Sequence, residues 1–110
     1  MLPTLYICSP WRTASLDEVG ERWTAIKKAI DLGYAPIFAP WLYRSVADTE
    51  QALVLSRAWV SKCDAFLVVG DNITDGMKAD IEAWDASWWP PTVPGRFTLD
   101  TLPKADTLFG

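Results

Sequence analysis

The chain contains no histidine. That absence removes Ser-His and Cys-His nucleophile couples and every imidazole metal site, so any catalysis falls to carboxylates, tyrosine, lysine or arginine. Cysteine is scarce as well. Cys8 and Cys63 are too few for a disulfide scaffold and are not spaced as a zinc motif, and both read as small buried hydrophobes. Basic residues are in deficit, with 10 Lys and Arg against 14 Asp and Glu and a net charge of −4. A nucleic acid polymer would call for a basic stripe, so none is expected as a partner. No apolar run approaches the roughly 20 residues that span a bilayer, and Met1 is followed by apolar residues without a basic leader. The expectation is a soluble, cytoplasmic protein with no membrane partner.

What is present suits one small core. The 110 residues are 50% apolar, which predicts a single domain over 1–110 with a proline-rich tail from about residue 90. Seven tryptophans, at positions 11, 23, 41, 59, 84, 88 and 89, are more than so small a core readily buries. Some should line a pocket or an interface. Together with the proline-rich tail, they predict a homodimer or larger assembly.

Thr4 to Cys8 is rich in strand formers and stops at Ser9-Pro10. Ser15 and Glu18 form a capping box ahead of Leu16, Val19, Trp23, Ile26 and Ile30, whose spacings of 3, 4, 3 and 4 predict one buried helical face over 16–32. Gly33 supplies the stop. Ala35 to Phe38 reads as a second strand, placed at a sheet edge by Pro36, and a long loop runs on to about Asp48. Asp48 or Thr49 caps a helix over 49–63 with Ala52, Leu53, Ser56, Trp59 and Val60 inward. Ala65 to Val69 is continuous hydrophobe closed by Gly70-Asp71, the pattern of a central strand covered on both faces. Asp75 is the expected cap of a third helix, 76–88, with Met77, Ile81, Trp84 and Trp88 on one side. Beyond it only Arg96 to Leu99 is strand-like, and an extended tail that docks on a neighbour is expected.

Strands alternating with helices imply a parallel sheet whose strand-end loops share one edge, where ligands of open α/β sheets sit. The fold class is thus α/β, a small three-layer domain with a short, mainly parallel sheet and flanking helices. The edge would be furnished by Trp11, Arg12, Trp41, Tyr43, Arg44, Asp71, Asn72, Thr74 and the first turns of two helices. Arg12 and Arg44 could hold an anion such as a single phosphate, or could be solvated surface residues. Trp11 and Trp41 could sandwich a flat ring, or could be packing. On the third helix, at about 100° per residue, Asp80 borders the apolar stripe while Glu82 points to water. Asp80 is either a positioned, partly desolvated acid or an ordinary first-turn acid that suits the helix dipole.

Thr4 to Arg12, the Ala65 to Gly70 strand and Thr74-Asp75-Gly76-Met77-Lys78-Ala79-Asp80-Ile81 together resemble the nucleoside 2-deoxyribosyltransferase-like proteins, which include deoxyribosyltransferases and deoxynucleotide N-glycosidases. The resemblance covers about residues 4 to 88 and implies a flavodoxin-like sheet. It also implies hydrolysis or transfer at the N-glycosidic bond of a nucleoside or nucleotide, without metal or other cofactor. The family's strand-one tyrosine, loop acid and nucleophilic carboxylate fall on Tyr6, on Asp71 or Asn72, and on Asp80. The substrate-binding set implied is Ser9, Trp11, Arg12, Trp41, Asn72, Thr74, Gly76 and Met77. Three departures stand out. Asp80 replaces a glutamate, Ser56-Arg57 stands where another acid is usual, and Trp88-Trp89-Pro90-Pro91 occupies the place of the last family strand. A nucleotide-binding protein without turnover, and a structural subunit whose aromatics serve assembly, are the alternatives to an enzyme.

Overall fold

The computed structural model of the protein describes residues 2–11, 14–43, 46–87 and 96–110. In chain order the elements are β1 (Thr4–Cys8), α1 (Leu16–Asp31), β2 (Ala35–Ile37), α2 (Pro40–Tyr43), α3 (Thr49–Val60), β3 (Ala65–Val68), α4 (Asp75–Ser87), β4 (Phe97–Thr98) and α5 (Ala105–Phe109). The strands form one all-parallel sheet in the order β2-β1-β3-β4. This is a small flavodoxin-like α/β domain, as the alternating pattern predicts. Pro36 lies in β2, the edge strand, opposite Leu5 of β1. Its missing N–H therefore interrupts no interior ladder.

Local chemistry sets the helix ends. Ser15 and Glu18 cap α1 reciprocally, at 3.2 and 3.0 Å. At the other end Gly33 adopts φ 95°, which lets its N–H reach the Ile30 carbonyl at 3.1 Å and the Tyr34 N–H reach that of Ala29 at 3.0 Å. That is the Schellman arrangement, and it turns Tyr34 into the core. Asp48 and Gln51 make the same reciprocal cap on α3. The cap of α4 differs from the expectation: the Thr74 hydroxyl accepts from Met77 N at 3.2 Å, so Asp75 is the first helical residue and not the cap. A β-hydroxyl one position earlier reaches the orphan N–H, and Asp75 is left to favour the helix dipole.

The period-2 alternation of β1 divides the core into two. Leu5 and Ile7 pack with Ala25 and Ala29 of α1, while Tyr6 and Cys8 pack with Val60, Met77 and Trp84 of α3 and α4. Tyr6 stacks on Phe66 of β3 at 5.2 Å, and Phe66 stacks on Trp84 at 5.5 Å.

Two expectations are corrected. The residues of α1 that meet the sheet are Arg22, Ala25 and Ala29, whereas Leu16, Trp23 and Ile30 are 90%, 56% and 55% exposed. Small side chains let the helix approach the short strands closely, and that rotation carries half of the apolar arc outward. From residue 96 on, the tail packs on its own domain. Phe97 and Thr98 pair in parallel with Leu67 and Val68, Leu102 and Ala105 enter the core, and the Tyr34 hydroxyl donates to the Pro103 carbonyl at 2.9 Å. The free edge of the hydrophobic strand β3 is thereby paired and covered. Residues 88–95, with the Trp88-Trp89-Pro90-Pro91 run, lie outside the described residues. Among those described, no helix is long and apolar enough to cross a membrane.

Candidate functional site

From β1 the chain crosses to β2 on one side of the sheet, while β3 lies on the other. The strand order reverses between them. A cleft of about 1280 Å³ opens at that switch point, at the carboxyl ends of the strands. Ser9 and Trp11 follow β1, Phe38 and Pro40 follow β2, Tyr43 comes from α2, and Ala52, Leu53 and Ser56 come from α3. The segment Ile73 to Met77 and Asp80 complete the wall, and Tyr6 forms the floor.

The central polar contact lies on that floor. Tyr6, fully buried in the middle of β1, donates its hydroxyl to Asp80 Oδ2 at 3.0 Å. A strand side chain pointing at α4 meets the residue two turns into that helix, because Met77, Ile81 and Trp84 hold the same helix against the sheet. Burial pushes the Asp80 carboxyl up to about 6; the hydrogen bond from Tyr6 and the nearby Arg57 charge pull the other way. Burial, and then the Asp80 charge, push the Tyr6 phenol well above its ordinary value. Asp80 is therefore a carboxylate of raised basicity with one oxygen held by a phenol.

Around this pair the polar groups are few and connected. The Tyr43 hydroxyl is hydrogen-bonded to Ser56 Oγ, and Ser56 also acts on the Tyr6 phenol. On the opposite wall the Ser9 hydroxyl accepts from Arg22 Nε at 3.2 Å. Arg22 also donates to the Pro10 carbonyl and lies over the Phe38 ring, 4.1 Å from its centroid. Arg22 as a whole is 3% exposed. Glu18 is a nearby compensating charge, and burial lowers the Arg22 pKa.

The residues expected from the sequence divide into three groups. Tyr6, Ser9, Trp11, Thr74, Gly76, Met77 and Asp80 come together on the cleft. Asp71, Asn72 and Trp41 are not among its lining. Asp71 and Asn72 sit on the exposed turn after β3, with Asn72 donating to Glu18 at 3.2 Å. Trp41 points out of α2 and packs on Trp23 at 5.1 Å, since residues two apart on a helix diverge by about 200° and Tyr43 takes the inward direction. Arg12, like Arg44, lies outside the described residues. Sequence reasoning passed over Arg22 and Phe38 and did not pair Tyr43 with Ser56. The spacing of Arg22, Ala25 and Ala29 on one helix side is the signal that could have exposed the first of these. Among the described residues no group of three or more histidine, cysteine, aspartate or glutamate side chains could hold a metal ion.

One protein-family model matches residues 3–90, a family described as a domain of unknown function (DUF7768). No curated protein and no solved structure matches the chain.

Proposed function

The chain belongs to the DUF7768 family, and we propose that its cleft binds a nucleoside or nucleotide and acts on the N-glycosidic bond through Asp80. The observation that carries this reading is the Tyr6–Asp80 pair on the floor of a largely apolar cleft at the sheet's switch point. A half-buried carboxylate with a perturbed pKa beside an open cavity is where carboxylate chemistry is favoured. The resemblance to nucleoside 2-deoxyribosyltransferase-like proteins supplies the reaction class. Tyr6 holds Oδ2, which leaves Oδ1 to approach the anomeric carbon as the bond to the base lengthens. The C1′–O bond forms as the C1′–N bond breaks, the departing base takes a proton, and water or a second base then displaces the carboxylate. Trp11 and Phe38 offer flat walls for the base, and Ser9 and Thr74 offer hydroxyls for the sugar.

A second reading, binding without turnover, is favoured by α3. It brings Ser56 and Arg57 to the site instead of another acid, and aspartate is one methylene shorter than glutamate. A carboxylate displaced by about 1 Å can cost on the order of a hundredfold in rate.

The test is incubation with a panel of nucleosides and nucleoside monophosphates, followed by chromatography for free base. Release of base by the wild type, lost by about a hundredfold or more in Asp80→Asn, is the result expected. Tight binding without products would move the assignment to the second reading, and neither binding nor products would remove both.

A further inference from the structure

The buried residues of α3 are Ser56 and Val60. Val60 packs with Tyr6, Phe66 and Trp84. Ser56, 8% exposed, instead brings a hydroxyl to a place where alanine would suit the helix better and carry no polar group to satisfy. Its partner is the Tyr43 hydroxyl of α2, on a side chain that is itself buried. That contact would suffice to tie α2 to α3, but both residues line the same cleft as Tyr6 and Asp80.

Four polar groups thus come together around the cleft, one from each of α2, α3, β1 and α4. Tyr43 is bonded to Ser56, Ser56 acts on the Tyr6 phenol, and Tyr6 donates to Asp80 Oδ2 at 3.0 Å. The influence of the carboxylate reaches the far end of this row: burial pushes the Tyr43 phenol up, and the Asp80 charge adds to it. Cys8 of β1 and Arg57 of α3 are further titratable and charged neighbours of Asp80, and a change confined to Ser56 leaves both in place.

The protons give the row a direction. Each hydroxyl has one, and an ionised carboxylate only accepts. Tyr6 spends its proton on Asp80, so its oxygen is open only as an acceptor, for the Ser56 hydroxyl. Ser56 spends its proton there and accepts from Tyr43. The Tyr43–Ser56 contact, in which either oxygen could donate, is thereby fixed with Tyr43 as the donor. Each donor in such a row polarises the next. Ser56 both strengthens Tyr6 as a donor and keeps its hydroxyl from turning away from Asp80.

We propose that Ser56 is a positioning residue for Asp80: backed by Tyr43, it aims the Tyr6 hydroxyl at Oδ2 and so keeps Oδ1 turned to the ligand. This rests on the reading of Asp80 as the group that acts on the ligand, and its test needs no ligand.

The experiment follows the Asp80 side-chain carboxyl by NMR through a pH titration of the full chain, in the wild type, Ser56→Ala, Ser56→Thr, Tyr6→Phe and the double variant Ser56→Ala/Tyr6→Phe. Ser56→Ala should raise the Asp80 midpoint by about half a unit, and Ser56→Thr, which keeps the hydroxyl, should hold it near the wild-type value. In the Tyr6→Phe background Ser56→Ala should leave the midpoint where Tyr6→Phe has put it, because Ser56 acts through the phenol, whereas a loosened α3 would move it in both backgrounds. If Ser56→Ala fails to fold, Tyr43→Phe with and without Tyr6→Phe carries the same comparison at about 0.3 unit. A midpoint that Ser56→Ala leaves unmoved, or moves as far without the Tyr6 hydroxyl as with it, overturns the proposal. A midpoint that moves as expected in a protein that releases base from no nucleoside or nucleotide supports the positioning role and overturns the proposed reaction; base release with an unmoved midpoint does the reverse.

Discussion

Arg22, buried, and Asp80, half-buried, are desolvated charges on opposite faces of β1, and the fold treats them differently. Arg22 is enclosed by acceptors: Ser9 Oγ, the Pro10 carbonyl and the face of Phe38. Burial lowers its pKa, as it raises that of Asp80, but the guanidinium is spent on groups of the fold and ties the β1–α1 connection to the helix. Asp80 is also desolvated but receives one side-chain hydrogen bond, from Tyr6, and its carboxyl stays pushed up to about 6. A charge left under-compensated beside a cavity is what a binding or reacting group needs, and it lowers stability where it sits.

The largest expected effect lies on the Arg22 side. Arg22→Ala removes a packed stem and leaves the Pro10 carbonyl without its donor. It should destabilise the protein by about 3 kcal/mol, measured by urea unfolding at pH 7. A loss below about 1 kcal/mol would make Arg22 a bystander and dissolve the contrast.

Asp80→Asn should move stability the other way. The Asp80 carboxyl titrates near 6 when folded against an ordinary 3.8, so the folded state holds this proton more tightly. Its contribution is fully present below the unfolded value and is lost as pH rises through about 6. The wild type should therefore lose up to about 3 kcal/mol between pH 4 and pH 7 through this group, and Asp80→Asn should lack that slope. Thermal melts at pH 4.5 and pH 8 check it: the variant should match the wild type at the acid end and exceed it at the alkaline end. The same ionisation predicts that turnover falls as pH drops through about 6.

Smaller effects belong to the groups around the pair. Tyr6→Phe removes the hydroxyl that donates to Asp80 and should raise its midpoint by about one unit, moving the acid limb of any rate profile upward. Tyr43→Phe, two links further along through Ser56, should shift it in the same direction by less, about 0.3 unit. If Tyr43→Phe moved the midpoint more than Tyr6→Phe, the contact order read from the structure would be wrong.

Much of this was legible in the sequence for identifiable reasons. The run Ala65–Val69 is apolar without interruption because β3 is covered on both sides, and the Ser15/Glu18 and Asp48/Gln51 caps are local signals that need no tertiary context. Asp80 could be separated from Glu82 because both lie on one regular helix whose apolar stripe fixes its rotation. The covered half of α1 was not legible. Periodicity gives the width of an apolar arc, whereas the size of the facing side chains decides which part of it the sheet takes, and Ala25 and Ala29 outcompeted Trp23 and Ile30. The return of the tail was hidden for a related reason: β4 has two residues, and its pairing is decided by the open edge of β3 and not by its own propensity. The Tyr43–Ser56 contact joins two helices across a loop and has no periodic signature.

The central claim, that Asp80 is held ready by burial that the fold leaves uncompensated, is tested most directly by following its side-chain carboxyl carbon by NMR from pH 3 to pH 9. Asp80→Asn provides the assignment. The account predicts a midpoint near 6 in the free protein, displaced further upward in Tyr6→Phe. A midpoint at the ordinary aspartate value of about 4, unmoved by Tyr6→Phe, would contradict it.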